Sequence, residues 1–193
     1  MAAGLAGPDP PVSIVEPKAG WPAEFEMIAA ALRAALGDLA LRIDHIGSTS
    51  VPGLPAKDVI DIQVTVRALD RALLAPALAQ AGFVDREIAQ DHRPPGAHGS
   101  DLDWQKLFFQ PRAGRPANLH VRVAGRPNQR YALLFRDYLR GHPDAAAAYA
   151  RLKRGLAELG IDRGTYADVK DPACDLILIA AEDWAARTHW QMR

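Results

Sequence analysis

Cysteine is nearly absent from this chain. Cys174 stands alone among 193 residues, so no disulfide within the chain can staple the fold, and a reducing compartment suits it. Cys174 falls in an apolar helical run, which favours burial over a reactive thiol. Long hydrophobic runs are missing too. None approaches the ~20 residues that span a bilayer, so no membrane partner is expected. Neither sign of charge dominates, because 23 Lys and Arg balance 23 Asp and Glu. That excludes a nucleic-acid binder working by bulk phosphate attraction, but leaves room for a small anion in a local basic cluster. Residues 1–11 lack the basic start and apolar core of a signal peptide. They read as a disordered tail, and a cytoplasmic location is expected.

The remaining residues, 12–190, read as one α/β domain of the α+β type. Trp21-Pro22 opens a helix that Gly37 closes, with Phe25, Ile28, Ala29 and Leu32 on one face. Residues 41–46 read as a short strand and 47–55 as a loop of Gly, Ser, Thr and Pro. Residues 59–66 are the clearest strand: Ile60, Ile62, Val64 and Val66 alternate with Val59, Asp61, Gln63 and Thr65. A helix over 70–81, despite Pro76, and a short strand at 83–86 follow. Residues 88–102 show no periodicity, as expected of a mobile lid or binding loop. Two strands, 104–110 and 118–123, form an expected hairpin whose polar side carries Asn118, His120 and Arg122. The last third is helical: one helix capped by Asn128 and stopped by Gly141, one from Pro143-Asp144 to about Gly160, and one from Asp171-Pro172 to about Thr188. The expected architecture is a mixed sheet with helices on its apolar face. The polar face is either open or covered by the loop 88–102 and the C-terminal helices.

Chemistry is expected around that polar face. Gly47, Ser48, Thr49 and Ser50 follow a strand in a tight turn, where backbone N–H groups and hydroxyls can surround a phosphate. A plain Gly/Ser turn is the competing reading, and the Walker pattern is absent. Asp61 on the next strand, with Asp58 near its start, could hold Mg²⁺ or Mn²⁺ against phosphate oxygens, or could be a solvated carboxylate. Lys57 is a phosphate contact or a surface lysine. His120 could bind a softer metal, donate to a phosphate, exchange a proton near neutrality, or be structural. His45 is as readily a core histidine. Arg136 and Arg140, four apart on one helix face, could clamp an anion or pair with Asp137. Lys106 could reach the pocket or solvent. Lys170 and Tyr166 precede the last helix, where a phosphate contact and a surface role are equally open. His92 and His98, with Asp91, Asp101 and Asp103, fit no zinc spacing and read as a solvated loop. Tyr138, Trp184 and Trp190 read as packing residues.

These residues resemble a known family. His45-Ile46-Gly47-Ser48-Thr49-Ser50-Val51-Pro52-Gly53-Leu54, with Lys57 and Ile60-Asp61-Ile62, looks like the signature of GrpB family proteins. Phe135-Arg136-Asp137-Tyr138-Leu139-Arg140 with His142-Pro143 looks like that family's second signature, and Tyr149, Leu152-Lys153, Tyr166 and Lys170 fit its tail. The resemblance runs from about residue 12 to 190. It implies a nucleotidyltransferase-like fold, in which a Gly-Ser turn precedes a strand bearing two metal-holding carboxylates and a later strand bears a third. Gly47 and Ser48 match the turn and Asp61 the first carboxylate. The second position is Gln63, and the later strand offers no acid, so a two-metal clamp cannot be built from these residues alone. The signature tilts Arg136 and Arg140 towards anion binding. The implied function is a metal-assisted nucleotidyl or phosphoryl transferase acting on a nucleotide or phosphorylated small molecule. The alternatives are a binding module that has lost the carboxylates, and chemistry resting on Asp61 and His120. Family members also occur as a domain beside a dephospho-coenzyme A kinase, a hint towards coenzyme A or nucleotide chemistry.

Overall fold

The structure, a computed structural model, describes residues 11–192. Apart from Pro11, the expected tail lies outside the described residues. Five strands form one mixed sheet: β1 (Arg42–Ile46), β2 (Ile60–Val66), β3 (Phe83–Asp85), β4 (Leu107–Pro111) and β5 (Ala117–Val123), in the order β1-β2-β5-β4-β3. The central pair, β2 and β5, is parallel, and every other pairing is antiparallel. The parallel register sets Asp61 beside Asn118 and Gln63 beside His120.

Alternation along the strands sorts the two faces. Ile60, Ile62 and Val64 of β2 and Leu119 and Val121 of β5 are completely buried on one of them. They pack against α1 (Trp21–Leu36) through Phe25, Ala29 and Leu32, and against α2 (Arg71–Gln80) through Leu74 and Leu78. Each fully buried aliphatic side chain contributes about 1.5–3 kcal/mol relative to exposure. Asp70 caps α2 by accepting from Leu73 N, and Pro22 sits in the tolerated first turn of α1.

The polar face is covered. Helices α3 (Pro127–Gly141), α4 (Pro143–Glu158) and α5 (Arg163–Thr188) form a second layer around Leu139, Tyr149, Ala150 and Cys174, with Leu134 and Ala181 beside them. Tyr138 and Trp184 pack edge to face there, as packing residues should, and Trp190 Nε1 donates to Asp137. No helix among the described residues is long and apolar enough to cross a membrane.

Three boundaries differ from expectation. Helix α5 begins eight residues before Asp171, because Asp162 accepts from Gly164 N and Thr165 N and so supplies the N-cap; Pro172 lies inside the helix. Helix α3 begins with Pro127, and Asn128 is buried instead of capping: its Nδ2 donates to Asp91 and to the Gln105 carbonyl. The strand expected from Trp104 begins at Leu107, since Asp101–Trp104 form a 3₁₀ turn boxed by Ser100 and Asp103. The loop 88–102 is also less free than its sequence reads. Asp91 N bonds to Trp104 O and Lys106 N to Ala89 O, which lays the loop against the start of β4.

Candidate functional site

The 47–50 turn is built around one glycine. Gly47 has φ +66° and ψ −171°, a conformation essentially reserved for glycine, and a Cβ there would be driven into the Asp61 carboxylate. The three hydroxyls that follow have different duties. Thr49 Oγ1 meets His45 Nε2 at 3.0 Å, and Ser50 Oγ donates to Gly47 O at 2.6 Å. Both are buried and shape the turn, so the ligand contacts expected of these two hydroxyls are replaced by internal ones. Ser48, partly buried, instead meets Lys153 Nζ at 2.9 Å. His45 lies on the apolar face, stacked on Phe25 at 4.7 Å. Burial first, then the charges of Arg140 and Arg136, lower its pKa to about 4, so it is a neutral core histidine.

Asp61 sits behind the turn, on the polar face. Asn118 Nδ2 donates to its Oδ1 at 2.8 Å, and Gln110 in turn donates to Asn118. Burial raises the Asp61 pKa, opposed by Asn118 and then by the positive charges of Lys57, Lys170 and Arg122. Lys57 stands over the Tyr166 ring at 5.1 Å. Lys170, on α5, meets Cys174 Sγ at 3.3 Å and Asp171 at 3.5 Å. Against its desolvation, those two neighbours hold its pKa above the ordinary value. Lys153, on α4, is buried, lies 4.7 Å from the centre of the Tyr149 ring, and donates to Ser48 and to the Pro55 carbonyl. Burial and the charge of Lys170 lower its pKa to about 7, with Asp61 pulling the other way. Thus Lys57, Lys153 and Lys170 come together around one carboxylate. A cleft of about 570 Å³ lined by Lys57, Arg86, Gln110 and Asn118 leads to the same end of the sheet.

Farther along the face lies an ion-pair network. Gln63, at the second-carboxylate position, is completely buried; its Oε1 accepts from Arg122 and its Nε2 donates to the Gln129 carbonyl. Arg122 also reaches Asp91 through Nε (2.7 Å) and Nη2 (2.9 Å), and Lys106 meets Asp91 at 2.8 Å. Against its own desolvation, the charges of Arg122 and Lys106 hold Asp91 well below the usual carboxylate range. So Lys106 points into the protein, and Asp91 belongs to no solvated loop. His120 is wedged between Phe108 and these cations, its Nδ1 accepting from Lys106 (3.4 Å) and Arg122 (3.3 Å). Burial, then Arg122 and Lys106, push its pKa well below the ordinary histidine value. The proton exchange near neutrality expected of His120 is therefore corrected: the ring stays neutral and its Nδ1 is engaged. His120 does share a face with Asp61, displaced by two residues in the register.

The two arginines hold the back of the turn. Arg136 pairs with Asp137 at 2.7 Å and donates to the His45 carbonyl. Arg140 donates twice to the Ser50 carbonyl, at 3.0 and 2.7 Å. In place of the anion clamp expected, they fasten α3 to the end of β1 and the turn. Asp58 accepts from Lys18, Trp21 and Arg115 and is a structural anchor. His92 docks on α5 at Asp175, 2.9 Å away. Among the described residues, no group of three or more His, Cys, Asp or Glu could hold a metal ion. A cation beside Asp61 would need most of its ligands from bound phosphates and water. Lys153 is named from sequence as part of the family's tail but given no role in the site. Its signal was present: it occupies an apolar-stripe position of α4 with Tyr149, Ala150 and Leu156, where a lysine has no reason to be unless something meets it.

With this geometry in hand, comparison with known proteins is informative. The GrpB protein family matches residues 11–179. A dephospho-CoA kinase of Mycolicibacterium paratuberculosis is 41% identical over 94% of this chain and 48% of its own length. This chain thus spans about half the length of those mycobacterial relatives. A UPF0157 protein of Halalkalibacterium halodurans is 36% identical over 76% of this chain and 70% of its own length. The solved structure of the conserved protein GrpB from Enterococcus faecalis superposes with a TM-score of 0.73 and 27% identity, covering 93% of this chain and 100% of that one. By its sequence over most of its length and by its fold, the chain belongs to the GrpB family.

Proposed function

We propose that this protein binds a nucleotide, or a related phosphorylated small molecule, in the basin between the Gly47-Ser48 turn, Asp61 and the lysines of α4 and α5, and transfers a nucleotidyl or phosphoryl group from it. One observation carries the reading: Lys57, Lys153 and Lys170, from three separate segments, all lie within electrostatic reach of the Asp61 carboxylate beside the Gly47-Ser48 turn. Clustered lysines are what a phosphate ligand would be met by, and burial followed by the charge of Lys170 lowers the pKa of Lys153 among them. Asp61 would share Mg²⁺ or Mn²⁺ with the phosphate oxygens, a sparse protein contribution of the kind magnesium tolerates. The absence of a second carboxylate favours one rival, a module that binds the same ligand without turnover.

The test is a thermal-shift screen of nucleotides, dephospho-coenzyme A and coenzyme A, with and without Mg²⁺ or Mn²⁺, on wild type and Asp61→Asn. The coenzyme A compounds are included because longer relatives carry the name dephospho-CoA kinase. A ligand that binds the native state alone raises the melting temperature by mass action. A metal-dependent rise lost in Asp61→Asn supports the transferase. A rise indifferent to metal and to Asp61 supports the binding module, and no rise with any ligand sinks both.

A further inference from the structure

We infer that Ser48 and Lys153 form a nucleophile–base pair, with Ser48 Oγ attacking phosphorus and Lys153 Nζ taking its proton. The geometry is that of a serine–lysine dyad: the two atoms are 2.9 Å apart in a part-buried bond, and Ser48 is only partly buried. The lysine is buried and anchored by a second bond to the Pro55 carbonyl. Of the three hydroxyls in the turn, Ser48 is the one its own turn does not use, since Thr49 faces His45 and Ser50 faces Gly47. The base is poised as well. The groups facing Lys153 are Lys170 and Cys174 from α5, Asp61 from β2, and Arg154 and the Tyr149 ring from its own helix. Burial first, then Lys170 and Arg154, bring the amine down to about 7 against the pull of Cys174 and Asp61, so that near neutral pH a large fraction is unprotonated and able to accept.

The step balances without a redox partner. Ser48 Oγ forms a bond to a phosphorus of a phosphoanhydride, and the bond from that phosphorus to the departing phosphate oxygen breaks. The leaving oxygen keeps the electron pair, and the Ser48 proton moves to Lys153. A hydroxyl of water or of a second substrate then attacks that phosphorus and its P–O bond to Ser48 breaks; Lys153 returns its proton to Ser48 Oγ, and the proton of the attacking hydroxyl passes to solvent. Lys57 and Lys170 would hold the phosphate oxygens. This chemistry asks little of the carboxylates that the sheet lacks. It takes its ligand class from the proposed function above, but its test does not depend on that ligand.

The probe is a fluorophosphonate, in which Ser48 Oγ replaces fluoride on phosphorus. Wild type should be labelled, with the adduct on the peptide carrying Ser48. Ser48→Ala should abolish it. Lys153→Arg, which keeps the charge and cannot act as a base, should slow it roughly 100-fold. The wild-type rate should rise with pH and level off above a midpoint near 7. No labelling of wild type between about pH 6 and about pH 9, a label on another residue, or an unchanged rate in Lys153→Arg would overturn the dyad. Melting temperatures confirm that each variant folds, with Lys153→Met as a second, smaller replacement. The ATP-induced thermal shift of Ser48→Ala is measured alongside. If it persists while wild type resists the probe, the dyad fails and phosphate binding stands; if wild type is labelled on Ser48 but no nucleotide shifts it, the dyad stands and the nucleotide reading fails.

Discussion

The two faces of the five-stranded sheet are made by opposite rules. On the face towards α1 and α2, Ile60, Ile62, Val64, Leu119 and Val121 bury aliphatic surface, and any side chain of similar volume would serve nearly as well. On the face towards α3–α5, the buried groups are Gln63, Arg122, Lys106 and Lys153, with Asp91 among them less deeply placed, each needing a particular partner. Buried polar networks are costly when broken and add little when intact. Their concentration on one face marks that face as the one built for something besides stability. Within it there is a second contrast. In the Asp91 network Arg122 and Lys106 bond directly to the carboxylate, whereas near Asp61 the bonds of Lys153 go to Ser48 and Pro55 and that of Lys170 to Cys174.

The Asp91 network should be the more expensive to break. Asp91→Ala strands Arg122 and Lys106 without their carboxylate, and removing one member of a buried ion pair costs about 3–5 kcal/mol. Chemical denaturation should show that loss at neutral pH. The pH dependence checks its origin. Because the folded pKa of Asp91 lies below its unfolded value, its contribution is fully present above the ordinary carboxylate range and is lost as pH falls through the lower folded value. The stability gap between wild type and Asp91→Ala should therefore persist at about pH 5 and close in strong acid. A gap that does not change with acidity would mean that packing, rather than charge, was lost.

On the apolar face, Leu119→Ala should cost about 2–5 kcal/mol through lost transfer energy and the cavity left. That loss should be flat with pH, since the groups packed against Leu119 in this core do not titrate. Wild-type affinity for the ligand found in the screen should survive in Leu119→Ala at temperatures where it remains folded. A loss of binding there would erase the division of labour between the faces.

The difference in rules explains what could be read from sequence. Period-two alternation in residues 59–66 and the helical spacing of Phe25, Ala29 and Leu32 report burial directly, so the sheet and the first helices were legible. The Gly47 turn and Asp61 were legible because glycine and a strand carboxylate carry local meaning. What depended on distant partners was not. Nothing near Asp91 in sequence announces that Arg122 and Lys106 will meet it across the sheet, and a loop with two prolines and two glycines looks solvated. Arg136 and Arg140 carry the right charge at the right spacing for an anion, but guanidinium groups also tie up carbonyls, and spacing does not distinguish the two uses. Helix α5 was misplaced at its start because Pro172 reads as a first-turn residue, although the Asp162 cap lies ahead of it.

The smallest effect on stability should come from Lys153, and its sign should depend on pH. Lys153→Met removes the bonds to Ser48 and Pro55 but also relieves a buried ammonium. The folded pKa of about 7 lies below the unfolded value of 10.5, so between these two the unfolded chain binds the proton and the native one does not. Wild-type stability therefore gains with rising pH across that window, and the burial penalty is at its fullest below about 7. Measured as a difference, wild type should gain on Lys153→Met from neutral to alkaline pH, and the difference should level off at its least favourable to wild type in mild acid. An anion in the basin would favour the charged amine and raise its pKa. Adding inorganic phosphate or pyrophosphate at mildly acidic pH should then stabilise wild type more than Lys153→Met. If the two respond alike, the lysine cluster around Asp61 is not where the phosphate binds, and the polar face loses its claim to be the functional one.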